Sequence, residues 1–147
     1  MNSKNISIVV VDDDIRTRIA IEESLADSGF TTECFRTGNE GIRHILTNEV
    51  DVAIIDVRLP DTNGIDVLRL VKEYQPKVLC VLMTAYPNVE DAVRALKSGA
   101  YEYIEKPLDL KQITTVINKA IDENMIQKKI VKDTSRDNSN KEGKVSL

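Results

Sequence analysis

Five times along the chain a short, mostly apolar run is followed by a stretch of roughly helix length: "SIVVV" (7–11), "TTECF" (31–35), "VAIID" (52–56), "VLCVLMT" (78–84) and "YEYIE" (101–105). Near-continuous apolar runs of this length suit strands covered on both faces. With a helix between each pair, the strands must lie parallel, joined by right-handed crossovers. A chain of 147 residues has room for one such domain with a real core and little for a second.

The intervening stretches carry their own punctuation. Helix one is expected from near Arg16 to before Gly29, helix two over about Asn39 to Thr47, and helix three from Gly64 to Tyr74, stopping before Pro76. Helix four should run from Asn88 to Ser98, Asn88 capping it and Gly99 ending it. The fifth begins near Asp109. In it Leu110, Ile113, Val116, Ile117, Ala120 and Ile121 form a stripe to lie on the sheet, with Lys111, Lys119 and Asp122 facing outward. From residue 131 to 147, "VKDTSRDNSNKEGKVSL" is too polar and too short to bury a core, and is expected as a disordered tail or the stub of a linker.

Charge and composition exclude several functions. A formal charge of -4 gives no electrostatic reason for direct nucleic-acid binding. No stretch approaches the ~20 apolar residues of a membrane span. "MNSKN" runs into the first strand without an apolar signal segment, so a cytoplasmic location is expected. Cys34 and Cys80 fall within strands without CxxC spacing and read as small apolar fillers. His44, the one histidine, is expected to be exposed on helix two.

Open parallel sheets bind ligands at the carboxyl ends of their strands, where the strand order reverses. Asp12, Asp13 and Asp14 end strand one, Asp56 ends strand three, Thr84 ends strand four, and Glu105-Lys106-Pro107 ends strand five. All should meet at one rim. Two like charges about 4 Å apart repel by roughly 4 kcal/mol at an effective dielectric of about 20, so the acids need a cation or a local role. Hard carboxylate oxygens from two strand ends suit Mg²⁺ or Mn²⁺ and leave coordination positions open. A carboxylate can attack a phosphoryl group to give an aspartyl-phosphate, Lys106 can meet the charge on the phosphoryl oxygens, and Thr84 can donate a hydroxyl hydrogen. Taken singly, each residue reads more plainly: a solvated loop for Asp12 and Asp13, a turn for Asp56, a strand-end hydroxyl for Thr84, a surface cation for Lys106. Convergence on one rim favours function.

With "VVVDDD", "IIDVRLPDTNGIDVL", "VLMTAY" and "GAYEYIEKP" in this order and spacing, the chain resembles a response-regulator receiver domain of two-component phosphorelay signalling, of the nitrogen-regulation-like branch, over residues 5–128. The resemblance implies a single doubly wound, flavodoxin-like α/β fold: five parallel strands in the order 2-1-3-4-5 and five helices. It also implies that Asp56 is the phosphoacceptor and that Asp13 binds the metal directly. Asp12 becomes the second acid of the pair, and the backbone carbonyl of Arg58 a further ligand of the same ion. Thr84 and Lys106 carry over as phosphoryl ligands, Lys106-Pro107 as a cis peptide, and Tyr103 as the aromatic that changes rotamer when Thr84 moves. Asp14 is expected to turn away and cap helix one. The implied partners are a sensor histidine kinase or phosphotransfer protein and a downstream protein reached through the fourth helix, fifth strand and fifth helix. Such a chain catalyses only its own phosphorylation and dephosphorylation.

Two other classes stand beside this one. "VVVDDDIRT" also resembles the start of haloacid-dehalogenase-type phosphatases, with Asp12 as nucleophile and Asp14 as acid/base; Asp56 and the lack of room for a cap argue against that enzyme. The other is a binding module that keeps the receiver fold without phosphorylation, which nothing missing from the sequence requires.

Overall fold

The computed structural model describes residues 6–126; the expected tail at 131–147 and the outermost residues of the expected 5–128 domain lie outside this range. Strands and helices alternate as β1 (Ser7–Val11), α1 (Ile15–Asp27), β2 (Thr31–Phe35), α2 (Gly38–Thr47), β3 (Val52–Asp56), α3 (Gly64–Tyr74), β4 (Leu79–Thr84), α4 (Val89–Lys97), β5 (Glu102–Glu105) and α5 (Leu110–Asp122). The sheet has the order β2-β1-β3-β4-β5, with every neighbouring pair parallel, as the resemblance implied.

Side chains alternate across a strand, and here both faces are dry. Ile8, Val10, Ile54, Val81 and Met83 join Ile21 and Leu25 of α1 and Ile113, Ile117 and Ile121 of α5 in one layer. Val9, Val11, Ile55, Cys80 and Leu82 join Ile45 of α2, Leu68 and Val71 of α3 and Ala95 of α4 in the other. β3 and β4 are buried along their whole length, which explains why their sequences show no polar alternation. The edge strands β2 and β5 are partly exposed and correspondingly mixed.

Each helix begins on a side-chain cap: Asp14, Thr37, Asn63, Asn88 and Asp109 accept a backbone N–H from the first turns of α1 to α5. After α4 the chain turns at Gly99, whose φ of 106° disfavours any residue with a Cβ. The helices are anchored unequally. α3 buries Gly64, Ile65, Val67, Leu68 and Val71, whereas α4 buries Ala95 alone. Along α4 the apolar residues Val89, Val93 and Leu96 remain 78%, 43% and 52% exposed.

His44 departs from expectation. Its ring is half-buried, centred 5.0 Å from that of Phe35 at 39°, because α2 crosses the half-covered end of edge strand β2. Cys34 and Cys80 are free thiols that burial pushes up to about 11 and about 12 respectively; Cys80 lies within one core layer and the half-buried Cys34 packs against the other, which suits the filler role read from the sequence. Among the described residues, no helix is long and apolar enough to cross a membrane.

Candidate functional site

The rim at the carboxyl ends of β1, β3, β4 and β5 gathers the charged residues. Asp12, Asp56 and Thr84 are the buried polar residues of the described structure, at 0%, 6% and 1% exposure. Lys106 reaches in from the end of β5, its Nζ donating to Asp12 Oδ2 at 2.6 Å and to Asp56 Oδ2 at 2.9 Å. One ammonium therefore bridges two buried carboxylates, and this offsets much of their mutual repulsion. The remaining oxygens are also used: Asp12 Oδ1 accepts the Asp14 N–H at 2.8 Å, and Asp56 Oδ1 accepts the Arg58 N–H at 3.1 Å.

The triplet divides by role. Asp14 caps α1, accepting the Arg16 N–H at 2.9 Å, and its carboxyl is held below the ordinary range chiefly by that bond. Asp13 is exposed and faces the cluster: Asp12, Asp13 and Asp56 each present an oxygen within 4.8 Å of the others. Burial raises the Asp12 pKa, and the hydrogen bonds from Lys106 and the Asp14 backbone work against it. For Lys106 burial acts to lower the value, but hydrogen bonds to Asp12 and Asp56 outweigh it and the net shift is upward. The two partners thus differ. An ion pair should lower Asp12, but complete burial wins there, so the chain holds a desolvated carboxylate that gains from a nearby cation. An all-carboxylate donor set with one exposed member fits a hard divalent ion.

Backbone packing fixes Asp56. The Gly64 N–H donates to the Val57 carbonyl at 2.7 Å, and a Cβ on Gly64 would collide with the Asp56 carbonyl, so the loop can fold back only over glycine. The Arg58–Asn63 bridge closes the base of that loop. Thr84 Oγ1 accepts the Tyr86 N–H at 3.0 Å, while the Thr84 carbonyl accepts the Lys106 N–H at 2.8 Å, tying β5 to β4. The Lys106-Pro107 peptide is cis, as the resemblance implied.

Tyr103 lies further back than a strand-end position. It pairs with Leu82 rather than Thr84, on the same face two residues behind it. Its hydroxyl is buried without a hydrogen-bond partner, and burial raises its pKa despite the nearby Asn88 backbone.

Some contacts at the rim had no sequence signal. Arg18 donates from Nη1 to the Asp12 carbonyl at 2.7 Å, and the Arg58 guanidinium stacks 4.2 Å over the Tyr86 ring. Neither follows a helical or strand period, because each crosses between elements.

Comparison with known proteins agrees with this geometry. The family described as the response regulator receiver domain matches residues 8–118, and the chain belongs to it. It is 34% identical over 112 residues to the DNA-binding transcriptional regulator NtrC of Salmonella typhimurium, covering 76% of this chain and 24% of that protein. It is 35% identical over 121 residues to the transcriptional regulatory protein ZraR of Escherichia coli K12, covering 82% of this chain and 27% of that one. The chain thus spans about a quarter of the length of these curated relatives. Among solved structures it resembles a CheY-like receiver domain from Methanospirillum hungatei, with TM-score 0.78, 28% identity, and coverage of 81% of this chain and 95% of that one. It also resembles the beryllofluoride-activated NtrC4 receiver domain dimer, with TM-score 0.76, 29% identity and coverage of 80% and 97%. The protein is therefore a phosphoacceptor signalling module of the response-regulator type, and the phosphatase reading is not favoured. The geometry argues the same way, since Asp14, the acid/base of that reading, is spent on capping α1.

Proposed function

We propose that Asp56 accepts a phosphoryl group from a phosphohistidine on a sensor histidine kinase or phosphotransfer protein, within a receiver domain spanning residues 5–128. The observation that carries this is the Lys106 ammonium held 2.9 Å from Asp56 and 2.6 Å from Asp12 at a buried rim. A bound Mg²⁺ or Mn²⁺ would neutralise charge on the phosphoryl oxygens; the clustered carboxylates of Asp12, Asp13 and Asp56 would hold it, with the Arg58 carbonyl as the further ligand that the family resemblance implies. An Asp56 carboxylate oxygen bonds to phosphorus as the P–N bond breaks, its electron pair leaving on the imidazole. Lys106 then pairs with a phosphoryl oxygen in place of the carboxylate oxygen it now holds. Thr84 gives up the Tyr86 N–H and donates its own hydroxyl hydrogen to the phosphoryl group.

Output follows from that last movement. Thr84 and Tyr103 share one face of the sheet, so a shift of the hydroxyl opens space for the ring, and the surface of α4, β5 and α5 changes. Exposed Val89, Val93 and Leu96 give that surface its apolar character. The chain acts catalytically only on its own phosphorylation and dephosphorylation, in the cytoplasm, and contacts a protein target rather than nucleic acid or membrane.

The test is labelling by acetyl phosphate with Mg²⁺. One phosphoryl group should appear, on Asp56, and Asp56→Asn should abolish it with the fold intact. Undiminished labelling of that variant refutes the assignment, and label on Asp12 with multiple turnover would establish the phosphatase instead.

A further inference from the structure

The two loops that supply the ion-binding carboxylates are joined by a second, purely structural route. From the β1 loop, the Asp12 N–H donates to the Phe35 carbonyl at 3.0 Å, at the end of β2. Three residues later α2 begins, and its first N–H groups are satisfied by a division of labour. Thr37 serves Glu40 through its hydroxyl at 3.2 Å and Gly41 through its carbonyl at 3.1 Å. The Gly38 and Asn39 N–H groups, however, both donate to the carboxylate of Asp61, each at 2.9 Å, one to either oxygen. Asp61 lies in the loop after β3, the loop that carries Arg58. It is an exposed residue with no part in the carboxylate cluster.

We propose that Asp61 is a positioning residue for phosphoryl transfer: by clamping the β3–α3 loop to the α2 N-terminus, it fixes the Arg58 carbonyl relative to Asp12 and Asp13. The proposal rests on the reading of this rim as a divalent-cation site. A carboxylate ligand can adjust through its own rotamer, but a backbone carbonyl moves only with its loop. That loop is pinned at its base by Gly64 and the Arg58–Asn63 bridge. Beyond this base Asp61 holds it to a neighbouring element, and the helix dipole strengthens the grip.

The test compares wild type, Asp61→Ala, Asp61→Asn and, as a control for lost negative charge, Asp66→Asn on the exposed face of α3. Mg²⁺ affinity is measured by calorimetry, and amide exchange over residues 57–63 is followed without metal. Asp61→Ala should lose about tenfold or more in Mg²⁺ affinity, the scale typical of groups that orient metal ligands, and its loop amides should exchange faster. Asp61→Asn, which keeps one acceptor oxygen, should fall between. Asp66→Asn should change affinity by less than about twofold, because a remote exposed charge is screened. Faster exchange with unchanged affinity would reduce Asp61 to a helix cap and overturn the proposal, as would an equal loss in Asp66→Asn. If wild type itself binds no Mg²⁺, the cation-site reading fails first and takes the positioning role with it, an outcome distinct from the other two.

Discussion

Replacing Lys106 with methionine should separate the two jobs of the ammonium. The stem keeps its packing while the charge is lost. In the native chain Nζ sits 2.6 Å from a fully buried Asp12 carboxylate and 2.9 Å from Asp56, with only 16% of the lysine side chain exposed. Removing one partner of a buried ion pair costs about 3–5 kcal/mol, because the remaining charge is left uncompensated. Repulsion between two carboxylates about 4 Å apart gives a similar figure at an effective dielectric of about 20. These are two views of one effect, so the expected loss is about 3 kcal/mol, or roughly 10 °C in melting temperature for a domain of this size. Saturating Mg²⁺ supplies the missing positive charge, so the deficit should shrink to below about 1 kcal/mol and the variant should bind the ion more tightly than wild type does. Labelling of Asp56 should nonetheless fall.

The pH dependence has a definite sign. Asp12 has a raised pKa in the folded chain, so its ionisation costs stability as pH climbs from the ordinary 3.8 through the folded value, and acid relieves that cost. Without Lys106 the value rises further, so the variant's deficit should narrow as pH falls toward the Asp12 range. Lys106 itself has a raised pKa; its contribution is whole below the ordinary 10.5 and is lost as pH rises through the folded value. Urea unfolding of both proteins, with and without Mg²⁺ across pH, reads all of this. A deficit that Mg²⁺ leaves untouched would show that the ammonium and the ion do not share the same carboxylates.

Asp13→Ala should abolish most Mg²⁺ binding while Asp14→Ala changes it little, since Asp14 points into the first turn of α1; equal losses in a metal titration would place the triplet one residue out of register. Asp14 has a depressed pKa, so its capping contribution is present above the ordinary 3.8 and fades as pH falls through the lower folded value, which an acid titration of α1 amide shifts would record. Thr84→Ala should still be phosphorylated on Asp56 yet fail to change partner binding or self-association, and Tyr103→Ala should do the same. Full phosphorylation-dependent coupling in both variants would show that the signal leaves by another route.

The strands were legible because burial on both sheet faces leaves a run such as "SIVVV" or "VAIID" no polar alternation, and bounds found this way for β1 and β3 match the structure. Helix ends were legible where one residue does the work, as with Asp14, Asn88 and Gly99. The strand order was not written in any periodicity; it came with the family resemblance. Cross-element polar contacts left no trace at all. Asp61 reaches back 23 residues to Gly38, Arg58 stacks on Tyr86 across two loops, and His44 meets Phe35 only because of how α2 lies. Tyr103 was placed in the right strand, but pairing with Leu82 depends on register, which a short edge strand does not announce.

Holding α4 by a single buried alanine sets how loudly this protein can speak. A charge-assisted hydrogen bond from Thr84 to a phosphoryl oxygen contributes about 1.5–3 kcal/mol. Driving a two-state equilibrium from 1:99 to 99:1 needs about 5.5 kcal/mol. One such bond cannot silence the resting state that completely and still reverse it. On the proposed Thr84 switch, the resting chain should therefore already visit its signalling arrangement in a noticeable fraction of molecules, and the small apolar area that α4 buries would make those visits inexpensive. Low background and full response are then in tension, and adding apolar anchorage to α4 would quieten the unmodified protein at the expense of the signal.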